Sequence, residues 1–235
     1  MLVFEPSLVQ FAGWLIMTSF FRFHLRTHDV AAARGFYERV LGERALDIVP
    51  LDAASVARGA RPMWLGSLDF ADVERAVAAF LERGATRLGH PASAMLRDAG
   101  GAILGLASSP GTMTPTPVDW HLLHTVDVER AKANYGELCG WDFTAPLELG
   151  SLGVFHPFSW ERGGPTVGAM SDLAARQGVH PQWLFHLRVA NFEGALEAVR
   201  TGGGKVIATT LPSGDRIAAC DDPQGAAFGL RGLPP

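Results

Sequence analysis

A chain of 235 residues is long enough for one large domain or two of ordinary size. With 48% hydrophobic and 19% charged residues it can bury a substantial core, which excludes a disordered chain. A net charge of −4 with no Lys/Arg cluster argues against a phosphate-tracking surface, so nucleic acid is not an expected partner.

Residues 1–19 are apolar but contain Glu5 and Pro6 and lack a basic leader, which fits neither a signal peptide nor a membrane span. They are set apart as an N-terminal arm, with Met17 as an alternative start, and no membrane partner is expected. A β-like run, Phe21–Thr27, then precedes a helix whose Val30, Ala33, Tyr37, Val40 and Leu41 share one face. Met63–Phe70 precedes a second helix carrying Val73, Ala76, Val77 and Phe80. Residues 110–118 hold three prolines among small polar residues and read as an extended linker.

Beyond the linker the order returns. Trp120–Thr125 precedes Val128, Ala131, Tyr135 and Leu138; Trp183–Val189 precedes Phe192, Ala195, Leu196 and Val199. Gly42, Gly84, Gly140 and Gly202 are placed as left-handed helix stops. Short β-like runs follow at Leu152–Ser159, Lys205–Thr210, Arg216–Cys220 and Ala226–Leu230, with Asp222-Pro223-Gln224-Gly225 as a hairpin turn.

The chain repeats itself. Asp29-Val30 recurs as Asp127-Val128 and Leu41-Gly42 as Cys139-Gly140, 98 residues on. Pro62-Met63-Trp64-Leu65 recurs as Pro181-Gln182-Trp183-Leu184 at a spacing of 119. Asp98-Ala99-Gly100-Gly101-Ala102 recurs as Asp222-Pro223-Gln224-Gly225-Ala226 at 124. Strand, helix, then further strands, four times over, is an α+β pattern with helices on one face of antiparallel sheets. Residues 20–109 form the first domain and 119–235 the second. Cys139 and Cys220 stand in unrelated contexts and read as reduced thiols, which fits a cytoplasmic protein.

Trp120-His121-Leu122-Leu123-His124-Thr125-Val126-Asp127, the helix end Tyr135-Gly136-Glu137-Leu138-Cys139-Gly140-Trp141, and Asp222-Pro223-Gln224-Gly225-Ala226-Ala227-Phe228-Gly229-Leu230 together resemble the vicinal oxygen chelate superfamily of glyoxalases, bleomycin resistance proteins and extradiol dioxygenases. The likeness extends from about Phe20 to Leu230. It implies four βαβββ modules paired into two cup-shaped half-barrels. Only about twenty residues separate Gly42 from Pro62, so the first module is expected to be shortened by a hairpin. In relatives of this kind modules often pair between chains, and a homodimer is among the expectations.

The family's metal takes a ligand from the first strand of each module and a carboxylate from the last. Those positions fall on Arg22, Leu65, Trp120 and Leu184, with Gly105 and Gly229 for the carboxylate. None supplies the expected side chain, so no metal or other cofactor is expected. Strand alternation turns His124, His186, Trp120, Leu122 and Arg188 into the second cup, and Arg22, His24, Arg26, Ser67 and Asp69 into the first. The candidate ligand-binding residues are therefore Trp120, Leu122, His124, His186 and Arg188, with His24, Arg26 and Asp69 in the first half. A lone strand histidine is ordinarily a structural, hydrogen-bonded residue, and that reading stands beside the functional one. Trp64 and Trp183 are placed against the helices, and His156 on either side of its strand.

The reading that follows is a protein binding a small organic molecule in a cup whose metal site has degenerated. One alternative is a divalent-metal-dependent lyase, isomerase or dioxygenase with a non-standard ligand set around His124 and His186. Another is a metal-free enzyme using one of those histidines as general base. A last one is a non-catalytic scaffold with vestigial cups, which buried, partner-free histidines in a filled cup would favour.

Overall fold

The computed structural model describes residues 18–90, 92–110, 117–176, 178–211 and 214–232. The expectation for residues 1–16 and Met17, and most of the linker, lie outside the described residues.

The first half runs β1 (Phe20–Thr27), α1 (Val30–Leu41), β2 (Asp47–Pro50), α2 (Ala53–Ala57), β3 (Met63–Asp69), α3 (Val73–Glu82), β4 (Thr86–Arg87), β5 (Met95–Arg97) and β6 (Ile103–Ala107). The second runs β7 (Val118–His124), α4 (Val128–Cys139), β8 (Asp142–Phe143), β9 (Leu147–Glu148), β10 (Val154–Ser159), β11 (Gly168–Ser171), β12 (Gln182–Val189), α5 (Phe192–Thr201), β13 (Lys205–Thr210), β14 (Arg216–Asp221) and β15 (Ala227–Gly232). Single 3-10 turns cover Gly150–Leu152 and Leu173–Ala175.

Each helix of the repeat starts on a short polar cap that accepts a backbone N–H: Asp29 from Ala32 at 2.9 Å, Asp72 from Arg75 at 3.0 Å, Asp127 from Arg130 at 3.0 Å and Asn191 from Gly194 at 2.9 Å. Such caps typically contribute about 1 kcal/mol each. At the other end Gly42, Gly84 and Gly140 take positive φ as expected. Gly202 does not. It keeps φ −76°, and the left-handed residue is Gly203 at φ 87°. The amide of Gly202 still donates to Ala198 O at 2.9 Å, so the helical pattern runs one residue further.

The chain forms two sheets. In the first, of order β2-β1-β3-β6-β5-β4, β1 and β3 pair antiparallel at the centre, flanked by parallel β2 and β6. In the second, of order β13-β14-β15-β12-β7-β11-β10-β8, β7 and β12 pair antiparallel at the centre, flanked by parallel β11 and β15. The two have the same centre, and they differ where the first module has a single strand, β2, and the short helix α2 between α1 and the next module. The lost hairpin is thus the structural meaning of the short stretch between Gly42 and Pro62.

One core joins the sheets, with Phe20, Phe23, Leu25, Trp64 and Leu68 of the first and Leu123, Trp183, Phe185 and Leu187 of the second in a single buried cluster. Helix α1 packs on α5 and α3 on α4, so helices pair across the halves while strands pair within them. Two buried chains of polar groups repeat that crossing. Trp64 Nε1 donates to Tyr37 Oη at 2.9 Å, and Tyr37 donates to Asp222 at 3.3 Å. Trp183 Nε1 donates to Tyr135 Oη at 3.2 Å, and Tyr135 donates to Asp98 at 2.9 Å. Trp64 and Trp183 therefore face the helices. Burial pushes both aspartates up from the ordinary carboxylate range and both tyrosines well above theirs. Cys139 and Cys220 are free and buried. Among the described residues no helix is long and apolar enough to cross a membrane.

Candidate functional site

The concave face of the second sheet gathers most of the residues that alternation had aimed there. On β7 it presents Trp120, Leu122 and His124; opposite them on β12 stand His186, Leu184 and Gln182. Beside β7, Ala169 and Ser171 of β11 pair with Leu122 and His124, and Phe155 of β10 pairs with Ser171. On the far side, Gly229 of β15 pairs with His186. Leu122, Phe155, Ala169 and Leu184 form a separate apolar cluster, covered by half-buried Trp120, Leu149, Leu152, Leu173 and Ala227. The cup is thus lined by apolar side chains and roofed by the segment that runs from β9 through the turn at Gly150–Leu152, together with Leu173.

Two imidazoles lie in this apolar setting. His124 Nδ1 and Ser171 Oγ share a hydrogen bond of 2.9 Å. His186 is 1% exposed, and its Nδ1 is buried with no hydrogen-bond partner. Burial lowers His124 to about 4. Burial, with His124 adding to it, lowers His186 to about 3. Both are neutral at pH 7, so each offers one donor and one acceptor nitrogen. An unmade bond on a buried polar atom costs about 1–3 kcal/mol, so a ligand polar group reaching His186 Nδ1 would recover part of that.

Gly229 decides what else can sit on the floor. A Cβ built there would overlap the His186 ring, 2.7 Å from Nδ1 and nearer still to the ring carbons. In the first half a Cβ on Gly105 would come 2.7 Å from Ser67 Oγ. At both positions the neighbouring first-strand side chain occupies the room that a last-strand side chain would need.

The rim of the second cup is charged. Register shifts between His186 and Leu187, which leaves Asp119 as the unmatched residue of β7. Asp119 Oδ2 lies 3.9 Å from Arg188 Nε and 3.8 Å from Arg231 Nη1, and Arg231 also pairs with Asp215 at 3.1 Å. The Arg231 guanidinium sits 5.3 Å from the Trp120 ring centroid. Arg188, one of the expected ligand residues, is exposed at this rim rather than inside the cup.

The three residues expected in the first half lie on the strands of the first sheet. His24 and Arg26 stand on the open face of the first sheet, where β1 pairs with β3. His24 is half-buried with Nδ1 unpartnered, and burial lowers its pKa. Arg26 donates to Met95 Sδ at 3.2 Å and pairs with Asp52 at 3.6 Å. Asp69 accepts the Ser109 amide at 2.8 Å, anchoring the segment after β6. His156 sits on the opposite side of β10 from Phe155, feeling Lys132 and Glu129 of α4. His121 shares a 2.9 Å bond with Val167 O and stacks on Phe20 in the core. Phe158 is also core, stacked on Trp141.

Sequence reading missed Ser171, Asp119, Arg231 and the leucines of the roof. Arg231 was legible in principle, since it follows Gly229 at the two-residue period of an inward face. Asp119 was not, because a bulge is set by tertiary pairing.

The sequence profile of the Glyoxalase/Bleomycin resistance protein/Dioxygenase superfamily matches residues 19–230. A Mycobacterium tuberculosis protein with the provisional name glyoxylase CFP32 is 31% identical over 116 residues, which is 48% of this chain and 44% of the relative. A protein of the same name from Mycobacterium bovis matches to the same extent. The chain thus spans less than half the length of these curated relatives. Among solved structures, the 2,3-dioxygenase LapB from Pseudomonas sp. KL28 superposes with a TM-score of 0.55 at 14% identity, covering 93% of this chain and 94% of that one. Homoprotocatechuate 2,3-dioxygenase from Arthrobacter globiformis gives 0.58 at 15% identity, covering 91% and 79%. At such identities the likeness is one of fold.

Proposed function

The chain belongs to the glyoxalase/bleomycin resistance protein/dioxygenase superfamily, and on that premise we propose that its second half binds a small organic molecule in the cup without a metal. The observation that carries the reading is His186. Its unpartnered, fully buried ring nitrogen lies in an apolar cup whose other end holds a second neutral imidazole, His124. A ligand with an apolar body against Leu122, Leu184 and Phe155 and a polar group toward His186 suits that lining.

The metal that the superfamily implies does not fit these residues. Trp120 and Leu184 stand at the second cup's first-strand positions, and the His186 ring fills the space a carboxylate at position 229 would need. Among the described residues no group of three or more His, Cys, Asp and Glu side chains could hold an ion.

A scaffold with vestigial cups is the second reading. It draws on the same buried, partner-free His186 together with Leu122 and Leu184, which are already 5% and 2% exposed beneath the roof, the filled cup in which such a histidine favours a scaffold. Titrating the full chain with a panel of neutral aromatic and aliphatic ligands, followed by intrinsic tryptophan fluorescence and melting temperature, separates the two. Saturable binding that weakens in a Leu184→Asp variant of retained fold supports the binding protein. No ligand in the panel shifting either signal supports the scaffold.

A further inference from the structure

The internal repeat allows one junction of the molecule to be compared with its own copy. Where α1 meets α5, Phe36 is 1% exposed and lies 2.9 Å from where a Cβ on Gly202 would stand. Gln224 of the neighbouring hairpin accepts the Asp29 amide at 2.8 Å and donates to Asp29 O at 2.8 Å. That junction is closed. Where α3 meets α4, the repeat spacings put Asn134 at the place of Phe36, Arg83 at that of Gly202, and Gly100 at that of Gln224. The apolar plug and the bridging amide are both missing there, and a shallow, solvent-open crevice lined by Arg83, Asp98, Asp127, Arg130 and Asn134 remains.

The groups left over in this crevice are mainly donors. Arg130 gives one bond, from Nη2 to Arg83 O at 3.1 Å, and pairs with no carboxylate among the described residues. Asn134 lines the crevice with its amide unbonded among the described residues. Two carboxylates also line the crevice, and both are engaged: Asp98 accepts Tyr135 and the amides of Gly100 and Ala102, and Asp127 caps α4, while Glu137 outside it holds Arg83. A guanidinium without a carboxylate partner beside an unbonded amide is the chemistry that receives an oxyanion.

We infer that the α3/α4 junction is a second binding site, taking a small oxyanion, carboxylate or phosphate, on Arg130 and Asn134. It is separate from the cup and does not depend on the reading of the cup.

The test is isothermal titration of the 235-residue chain with inorganic phosphate and, separately, acetate at constant ionic strength. Saturable binding of at least one is expected, weakened about tenfold or more in Arg130→Ala, the loss of one charge-assisted bond. Asn134→Phe, which restores the plug of the other junction, abolishes it. A His124→Ala, His186→Ala variant binds as the unaltered chain does. If Arg130→Ala does not fold, Arg130→Gln carries the same expectation. Absence of saturable binding by either ion, or equal binding by the unaltered chain and the Arg130 and Asn134 variants, overturns the site.

Discussion

The contact between His186 and Gly229 can be tested by adding a single methyl group. Gly229 lies in β15 and is not at positive φ, so alanine is acceptable to the backbone and the effect of Gly229→Ala is steric. The new Cβ would stand 2.7 Å from His186 Nδ1 and overlap the ring carbons. His186 is 1% exposed and cannot swing aside without displacing the cup. Overpacking of this kind costs about 1–3 kcal/mol. At this chain length that lowers the melting temperature by about 2–12 °C. Urea unfolding of Gly229→Ala, His186→Ala and the double variant forms a cycle, and the pair should couple by about 1 kcal/mol or more because the methyl clashes only while the ring is present. A loss below about 0.5 kcal/mol in Gly229→Ala, or strict additivity, would refute the claim that the imidazole fills the carboxylate's place.

Acid should unfold this protein early. His121 and His124 are lowered to about 4 and His186 to about 3, all by burial, so below pH 6.5 the unfolded chain binds protons that the folded one refuses. Their stabilisation is intact above pH 6.5 and falls by about 1.4 kcal/mol per histidine per pH unit below it; Asp98 and Asp222, raised when folded, oppose this only as pH drops below their own folded values. Circular dichroism should show unfolding well above pH 4, and His186→Phe should move the midpoint to lower pH; an unchanged midpoint counts against a buried neutral imidazole. Tyr135→Phe removes the donor to Asp98 and should cost about 1.5–3 kcal/mol in denaturant unfolding, with a smaller loss for Tyr37→Phe at its longer 3.3 Å bond. Equal, negligible losses would show that the buried chains do not tie the halves together.

The parts of the fold that periodicity controls were readable. The apolar faces of α1, α3, α4 and α5 and the shared face of His124 and His186 follow from local spacing. The lost hairpin could be read from arithmetic alone, since the stretch before Pro62 is too short for three strands. What depends on distant partners was not readable. Tyr135 meets Asp98 from the other half, Ser171 reaches His124 across 47 residues, and the bulge at Asp119 arises from pairing with β12. Gly202 was misplaced as a left-handed stop because Gly202 and Gly203 are adjacent candidates. Only the carbonyl of Ala198 and the ring of Phe36 distinguish them.

The central claim is a cup that works without a metal. Elemental analysis of untagged protein, incubated with Zn, Ni, Fe and Mn salts and desalted, tests it most directly, with a His124→Ala, His186→Ala variant alongside. The account predicts no stoichiometric metal in either protein. About one tightly held ion per chain, lost in the double variant, would contradict it.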